Sequence, residues 1–406
     1  MKVGSDSRQA PADVLDLRRR NLSQVLHHLR DRGRSSRIEV AADTGLAAGA
    51  VTSLISELID AELVQEAGLS GSGAAGRPRR LLTLAGGSVA AVGVQVDAET
   101  VAVRIIDLVG RELYSGRHAH AVSDFSDDAL ARAAAAHITS ALDTAGGDRL
   151  TIAVTVAVPG WPHEGLVVSP TLGWAGNPFL DDLRTHLGCP TGALSLANDG
   201  NLGALAEYQL LRPTGVRDLV YMEGGVGIGG GVIVDGRQAF GAAGAAGEFG
   251  HVVVDPQGPA CLCGQRGCLE RYASLPVLLE RTGLRAQLRE RGANASLAEL
   301  VRLARAGTLP VLDALSDIAR HLNVVTAAAQ MIINPHTIVL GGYFAQVAPW
   351  LISAMTRQAA PLIMSPNIRP GALSVDAPLH GAALSATNAI LDDPLRITRP
   401  SSGRTG

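Results

Sequence analysis

A chain of 406 residues with a formal net charge of −3 exceeds one ordinary hydrophobic core and implies two or three domains. No run of eighteen uncharged apolar residues occurs, and the opening segment (Lys2, Asp6, Arg8, Asp13) lacks the apolar stretch of a secretion signal, so a soluble cytoplasmic protein without a membrane partner is expected. Through Leu84 the chain carries 12 basic and 10 acidic residues, against 35 and 38 overall, so a slightly positive head precedes a slightly negative body. Lys2 is the only lysine, which leaves cationic contacts to arginine.

In the head, Leu22, Val25, Leu26 and Leu29 recur at helical spacing and predict a first helix over 17–33. Ser36 with Glu39 forms a capping box that opens a second helix through Ala42, which Gly45 terminates. A third helix over 47–61 turns Val51, Leu54, Ile55, Leu58 and Ile59 inward. Three helices with a glycine turn before the last match a helix-turn-helix, and strands from Leu63 and over 81–84, joined by a loop at 71–76, make it winged. The outward positions of the third helix are Ala48, Thr52, Ser53, Ser56 and Glu57, small enough to enter a major groove. Thr52, Ser53 and Ser56 are candidate DNA contacts there, with Arg34 and Arg37 suited to phosphates and Arg77, Arg79 and Arg80 to a minor groove or phosphates. A small helical protein-interaction domain followed by a basic linker accounts for the same pattern.

In the body, apolar segments at 90–96, 101–107 and 112–116 predict an antiparallel meander, followed by a helix over 127–145 and a buried strand over 151–158. Strands and helices then alternate, an α/β pattern. Asn198 and Asp199 precede a helix over 200–211, where a helix cap would explain either residue alone. The glycine-rich run 224–231 and the pair Gly341-Gly342 suit tight turns and are weak evidence for a nucleotide. His251, Cys261, Cys263 and Cys268 supply one imidazole and three thiolates, a closed tetrahedral set for a structural Zn2+. Three cysteines within eight positions argue against a disulfide framework, and Cys189 reads as a small buried residue. His137 and His321 read as ordinary surface or interface residues.

The signature joining His251 to Cys-Leu-Cys-Gly-Gln-Arg-Gly-Cys-Leu-Glu (261–270) resembles the ROK family of repressors, open reading frames and sugar kinases, and the resemblance runs from about residue 16 to 392. It implies a two-lobed body of the actin-like ATPase fold with a sugar and nucleotide cleft between the lobes. Asn198 and Asp199 match the family's Glu-Asn-Asp motif, with Ala197 in place of the glutamate, while Glu248 and His251 match Glu-x-Gly-His. With Glu270 these are the sugar-binding positions the resemblance implies, and Trp174, in a loop resembling one that borders the sugar, is expected to stack on a pyranose. Where family kinases carry Asp-x-Gly-Gly-Thr, this chain has Gln95-Val96-Asp97-Ala98-Glu99, without the glycines and with two carboxylates that would face a triphosphate, and Val226 replaces a customary threonine.

The expected organisation is a flexible segment 1–15, a winged helix-turn-helix 16–84, a ROK body 85–393 and a flexible segment 394–406. Lobe one spans about 85–200 plus the helix at about 380–393, and lobe two about 201–379. The expected function is a sugar-responsive repressor of carbohydrate-utilisation genes, not an enzyme, binding operator DNA as a homodimer or homotetramer with a sugar or sugar derivative as effector. An ATP-dependent sugar kinase with an accessory head, and a regulator switched by a protein partner, are the alternatives.

Overall fold

A computed structural model describes residues 14–69, 79–87, 89–120, 128–146, 150–187, 194–359 and 366–396. The head comprises α1 (Val14–Arg32), β1 (Ser35–Ser36), α2 (Arg37–Thr44), α3 (Ala48–Asp60), β2 (Val64–Leu69) and β3 (Arg80–Leu84), with its strands in the order β1-β3-β2. The capping box forms in both directions: Ser36 N donates to Glu39 Oε2 at 2.7 Å and Glu39 N to Ser36 Oγ at 3.4 Å. Gly45 ends α2 at φ 73°, a left-handed conformation natural to glycine. No single helix among the described residues is long and apolar enough to cross a membrane.

The first body sheet is built from β4 (Val89–Val96), β5 (Thr100–Ile106) and β6 (Glu112–Ala119), the antiparallel meander expected from the alternating apolar runs. After α4 (Ala129–Thr144) come β7 (Leu150–Val158), the small hairpin sheet β8 (Trp161–His163), β9 (Leu166–Ser169) and β10 (Trp174–Asn177), α5 (Phe179–Leu187), β11 (Leu194–Asn198) and α6 (Asp199–Leu211). Strands β7 and β11 join in parallel, giving the order β11-β7-β4-β5-β6. The second sheet begins with β12 (Leu219–Gly224), β13 (Ile228–Val234) and β14 (Arg237–Gln238), and α7 (Glu270–Ala273), α8 (Leu275–Arg281), α9 (Arg285–Arg305) and α10 (Leu309–Ile332) follow. It is completed by β15 (Thr337–Gly342), α11 (Tyr343–Gln346), α12 (Ala348–Gln358) and β16 (Ile368–Pro370), in the order β14-β13-β12-β15-β16. Helix α13 (Ala377–Asp392) then returns to pack on β4 and β7.

Glycines let four of these elements stack backbone on backbone. A Cβ at Gly200 would lie 2.6 Å from Gly230 O, one at Gly381 2.9 Å from Leu202 Cα, and one at Gly93 2.8 Å from Leu379 O. The resulting order β13, α6, α13, β4 runs from one sheet to the other. The head is continuous with this framework: Leu22, Val25 and Leu29 of α1 share one buried core with Ala91 of β4 and Ile390 and Leu391 of α13.

Gly381→Ala isolates the packing term. Helix propensity alone favours alanine by about 1 kcal/mol, yet the added methyl meets the Leu202 backbone, so urea denaturation should show a net loss of about 1–3 kcal/mol. Unchanged or increased stability would contradict the close packing.

Candidate functional site

The metal-type donors sit on a loop folded back on itself. Bridges pair Val253 with Cys268 and Ala260 with Arg266, Cys261 N donates to Gln265 O at 2.8 Å, and Tyr272 Oη donates to Asp255 Oδ2 at 2.8 Å. Gly264 and Gly267 take φ of 91° and 70°, and a side chain at Gly267 would strike the Asp255 carbonyl. One ligand atom from each of His251, Cys261, Cys263 and Cys268 falls within 4.8 Å of the others. His251 Nδ1 is 3.6 Å from Cys261 Sγ, and Cys263 Sγ is 3.6 Å from Cys268 Sγ. Tetrahedral thiolate coordination at ordinary metal–sulfur distances places sulfurs about 3.8 Å apart, so the donor set fits one ion. Burial, with Cys263 and Cys261 alongside, pushes the Cys268 thiol up to about 12, which makes a cation the natural means of holding it as thiolate.

The other ring nitrogen of His251 faces Glu248, with Nε2 3.9 Å from Glu248 Oε2. Glu248 precedes the short turn Phe249–His251, and burial raises its pKa, offset by His251 and reinforced by Glu270. Glu270, the first residue of α7, reaches back to the glycine turn, where its Oε2 accepts Ile228 N at 3.2 Å. Asp199 opens α6 and accepts Gly200 N at 2.8 Å, yet burial and the neighbouring Glu248 push its carboxyl up to about 7 against that hydrogen bond. The chain thus brings Asp199, Glu248, His251 and Glu270 together, with desolvation outweighing local hydrogen bonding at Asp199.

Asn198 has a structural assignment. It is the N-cap of α6, its Oδ1 accepting Asn201 N at 2.9 Å and its Nδ2 donating to Gly160 O at 2.8 Å. A ligand contact from Asn198 would have to share these bonds. Glu223, at the end of β12, escaped the sequence reading. Burial and the charge of Asp199 raise its pKa well above the carboxylate range, and Tyr221 Oη donates to it at 3.2 Å. The available signal was a lone charge in an otherwise apolar strand, 219–224.

One expectation changes. Trp174 is only 5% exposed and packs on Phe179, ring centroids 5.5 Å apart, within the first-lobe core, so it does not offer a face to a pyranose. The Asp97 carboxylate is hydrogen-bonded to its own turn: Oδ1 accepts Glu99 N at 2.8 Å and Thr100 N at 2.7 Å, while Oδ2 accepts Thr100 Oγ1 at 2.8 Å. The turn's own amides are therefore already engaged by an anionic group.

On the head, Thr52, Ser53 and Ser56 lie exposed along α3, where Thr52 Oγ1 donates to Ala48 O and Ser56 Oγ to Thr52 O, each at 3.0 Å. Arg34 and Arg79 are exposed, Arg37 begins α2 half-buried, and Arg80 pairs across the strands with Glu66. Arg77 and Cys189 lie outside the described residues. His137 stacks on His118 at 4.5 Å and His321 on Tyr272 at 4.3 Å.

The ROK family model matches residues 91–389. A kanosamine kinase of Amycolatopsis mediterranei is 35% identical over 243 residues, covering 58% of this chain and 76% of that protein. A xylose repressor of Bacillus subtilis is 25% identical over 390 residues, covering 94% of this chain and 98% of its own. Among solved structures, a ROK family transcriptional regulator described as a homolog of the Escherichia coli MLC protein superposes with a TM-score of 0.75 at 24% identity, covering 94% of this chain and 99% of that one. A glucokinase from Streptomyces griseus superposes at 0.61 and 24% identity, covering 73% and 98%. The structural likenesses establish the shared fold, and the two sugar kinases span less of this chain than the two regulators do.

Removing the metal, or substituting Cys263→Ser, should lower the melting temperature and increase proteolysis in the 251–270 loop; identical melting with and without chelator would refute a structural ion. A second test uses pH. The folded state holds the Asp199 proton up to about 7, whereas the ordinary carboxyl releases it near 3.8. Stability from this group is therefore greatest at low pH and declines as pH rises through that interval. Asp199→Asn should match the wild type near pH 4 and exceed it at pH 8 by about 1–3 kcal/mol, and a constant difference across pH would disprove the assignment.

Proposed function

The chain belongs to the ROK family, and from that membership we propose that it is a sugar-responsive transcriptional repressor of carbohydrate-utilisation genes, without kinase activity. One observation carries the loss of phosphoryl transfer. Kinases need free backbone amides around the nucleotide phosphates, and here the amides of Glu99 and Thr100 are held by the Asp97 carboxylate. An incoming phosphate must displace that carboxylate and then tolerate its charge. Glu270 occupies the Ile228 amide of the second turn in the same way.

The proposed effector, a sugar or sugar derivative, occupies the cleft between the sheets, with Asp199, Glu248 and Glu270 accepting its hydroxyls and Asn198 fixing the start of α6. Zn2+ on His251, Cys261, Cys263 and Cys268 would hold the loop that presents Glu248 and Glu270, leaving His251 Nε2 for the ligand side. The likeness to a xylose repressor over 94% of the chain supports the head as the operator reader. Thr52, Ser53 and Ser56 would enter the major groove, with Arg34, Arg37, Arg77, Arg79 and Arg80 on phosphates or minor groove. A cytoplasmic homodimer or homotetramer would present two heads to symmetric half-sites.

A sugar kinase with an accessory head is the second reading, favoured by the 35% identity to a kanosamine kinase and by the glycine-rich turn at 224–231. Sugar-dependent ADP release separates the two, and none is expected. Fluorescence anisotropy on DNA from upstream of the protein's own gene, at fixed salt, should show specific binding weakened by one sugar of a panel. Glu248→Ala should abolish that response while keeping sugar-free DNA affinity within about twofold, since well-separated sites act independently. Sugar-stimulated ADP production by the wild type would overturn the proposal.

A further inference from the structure

The two central helices end against a single turn of the head. Helix α6 begins at Asp199 in the cleft and is followed directly by Arg212, whose NH2 lies 2.9 Å from Asp31 Oδ1 in α1. The adjacent residue, Arg30, donates from NH1 to Asn388 Oδ1 of α13 at 2.7 Å, and from Nε to Asp31 Oδ1 at 2.9 Å. An unbroken chain Arg212, Asp31, Arg30, Asn388 therefore spans from the far end of α6, through the head, to α13. A turn further along, His27 Nε2 sits 2.6 Å from Asp392 Oδ1, adding a second tie to α13.

These two helices are also where the halves of the body meet. Gly200 sets α6 against Gly230 of the second sheet, and Gly93 sets α13 against the first sheet. Closing of the cleft that moves one sheet relative to the other must be taken up at the backbone contacts along the order β13, α6, α13, β4, and the Gly381–Leu202 crossing between α6 and α13 is the one the head bridges. Packed helices respond by sliding or rotating rather than by deforming. Arg30 and Asp31, each fixed to a different helix, then experience that shift as opposed displacements.

We infer that the Arg30–Asp31 turn is a gauge of the α6–α13 arrangement, converting cleft occupancy into a change in the seating of the DNA-binding head. This rests on the regulator reading above and adds its transmission route. The participating side chains are partly exposed, Arg212 at 36% and Asp31 at 40%. Such pairs contribute little to folding stability, so their removal should disturb coupling while leaving the fold intact. The coupling is reciprocal: DNA held by the head favours one arrangement of the helices, and a ligand in the cleft favours the other.

The test compares full-length, metal-loaded wild type with Asp31→Ala and Arg212→Ala, using hydrogen exchange and DNA anisotropy on the same preparations. D-Xylose, D-glucose and N-acetyl-D-mannosamine are the probes. Exchange in α1 and α3 should rise about threefold to tenfold in both variants, with the 251–270 loop unchanged. Sugar-dependent weakening of DNA binding, normally 5–150-fold in coupled systems, should fall to about twofold or less, while calorimetric sugar affinity is preserved. Unchanged head exchange, or a full sugar response in both variants, overturns the gauge and leaves the effector reading standing. If none of the three sugars affects wild-type DNA binding, that reading fails for these effectors, and the exchange result alone decides whether the network seats the head.

Discussion

Backbone contact at Gly93, Gly200 and Gly381 is the constraint from which the rest of the architecture follows. Helices that pack through side chains ordinarily sit 8–10 Å apart, and removing the side chain at the crossing brings main chain against main chain. The consequence here is positional. With Gly200 pressed on Gly230, the first turn of α6 has little freedom, and Asp199 is held over the glycine strand β13, its Oδ1 3.7 Å from where a Cβ of Gly229 would stand. The same logic operates at Gly341, where a side chain would occupy the space taken by the Tyr221 ring, whose hydroxyl reaches Glu223.

That positioning creates an electrostatic problem with a chemical use. Asp199, Glu223, Glu248 and Glu270 converge, and the ionisable group offsetting them at Glu248 is His251, itself one of the four metal-type donors. Burial and like charge win at Asp199 and Glu223, so protons are retained where an exposed carboxyl would have lost them. Sugar hydroxyls donate to carboxylates without adding charge, and they can replace the water that such a cluster otherwise requires. A nucleotide triphosphate has the opposite character. Under the proposed reading, the Asp97 carboxylate would stand in for a phosphate on the amides of Glu99 and Thr100, a change that leaves the fold as it is.

Much of this was legible where the determinants are local. The capping box at Ser36 and Glu39, the left-handed Gly45, the meander and the His251/Cys261/Cys263/Cys268 set depend on spacing along the chain, and each appears in the structure as the spacing implies. Determinants set by the fold in three dimensions were not legible. Trp174 lies near the expected cleft in sequence but turns into the core against Phe179. Asp97 was read as a carboxylate that would face a triphosphate, and its hydrogen bonds to its own turn were not visible in the sequence. Glu223 looked like one polar position in a strand, and its proximity to Asp199 arises only when α6 is laid against β13. The boundary near residue 84 suggested separable parts, whereas Leu22 and Leu29 share a core with Ile390 and Leu391, residues more than 350 positions away.

The head itself limits what any switch must accomplish. Several of its arginines are already committed to carboxylates: Arg18 to Glu57 at 2.8 Å, Arg32 to Asp43 at 3.3 Å, and Arg80 to Glu66. Helix α3 contains no basic residue at all, so a single head has modest means of neutralising phosphates. Affinity for an operator would then depend on two heads engaging together, where the second contact is made at a high effective concentration only if the spacing is right. Under that condition an effector need not abolish either contact. A small change in the seating of each head is enough, because a mismatch in spacing removes the advantage of the pair, and the contacts of α1 with α13 and with Arg212, just past α6, lie where such a change would begin.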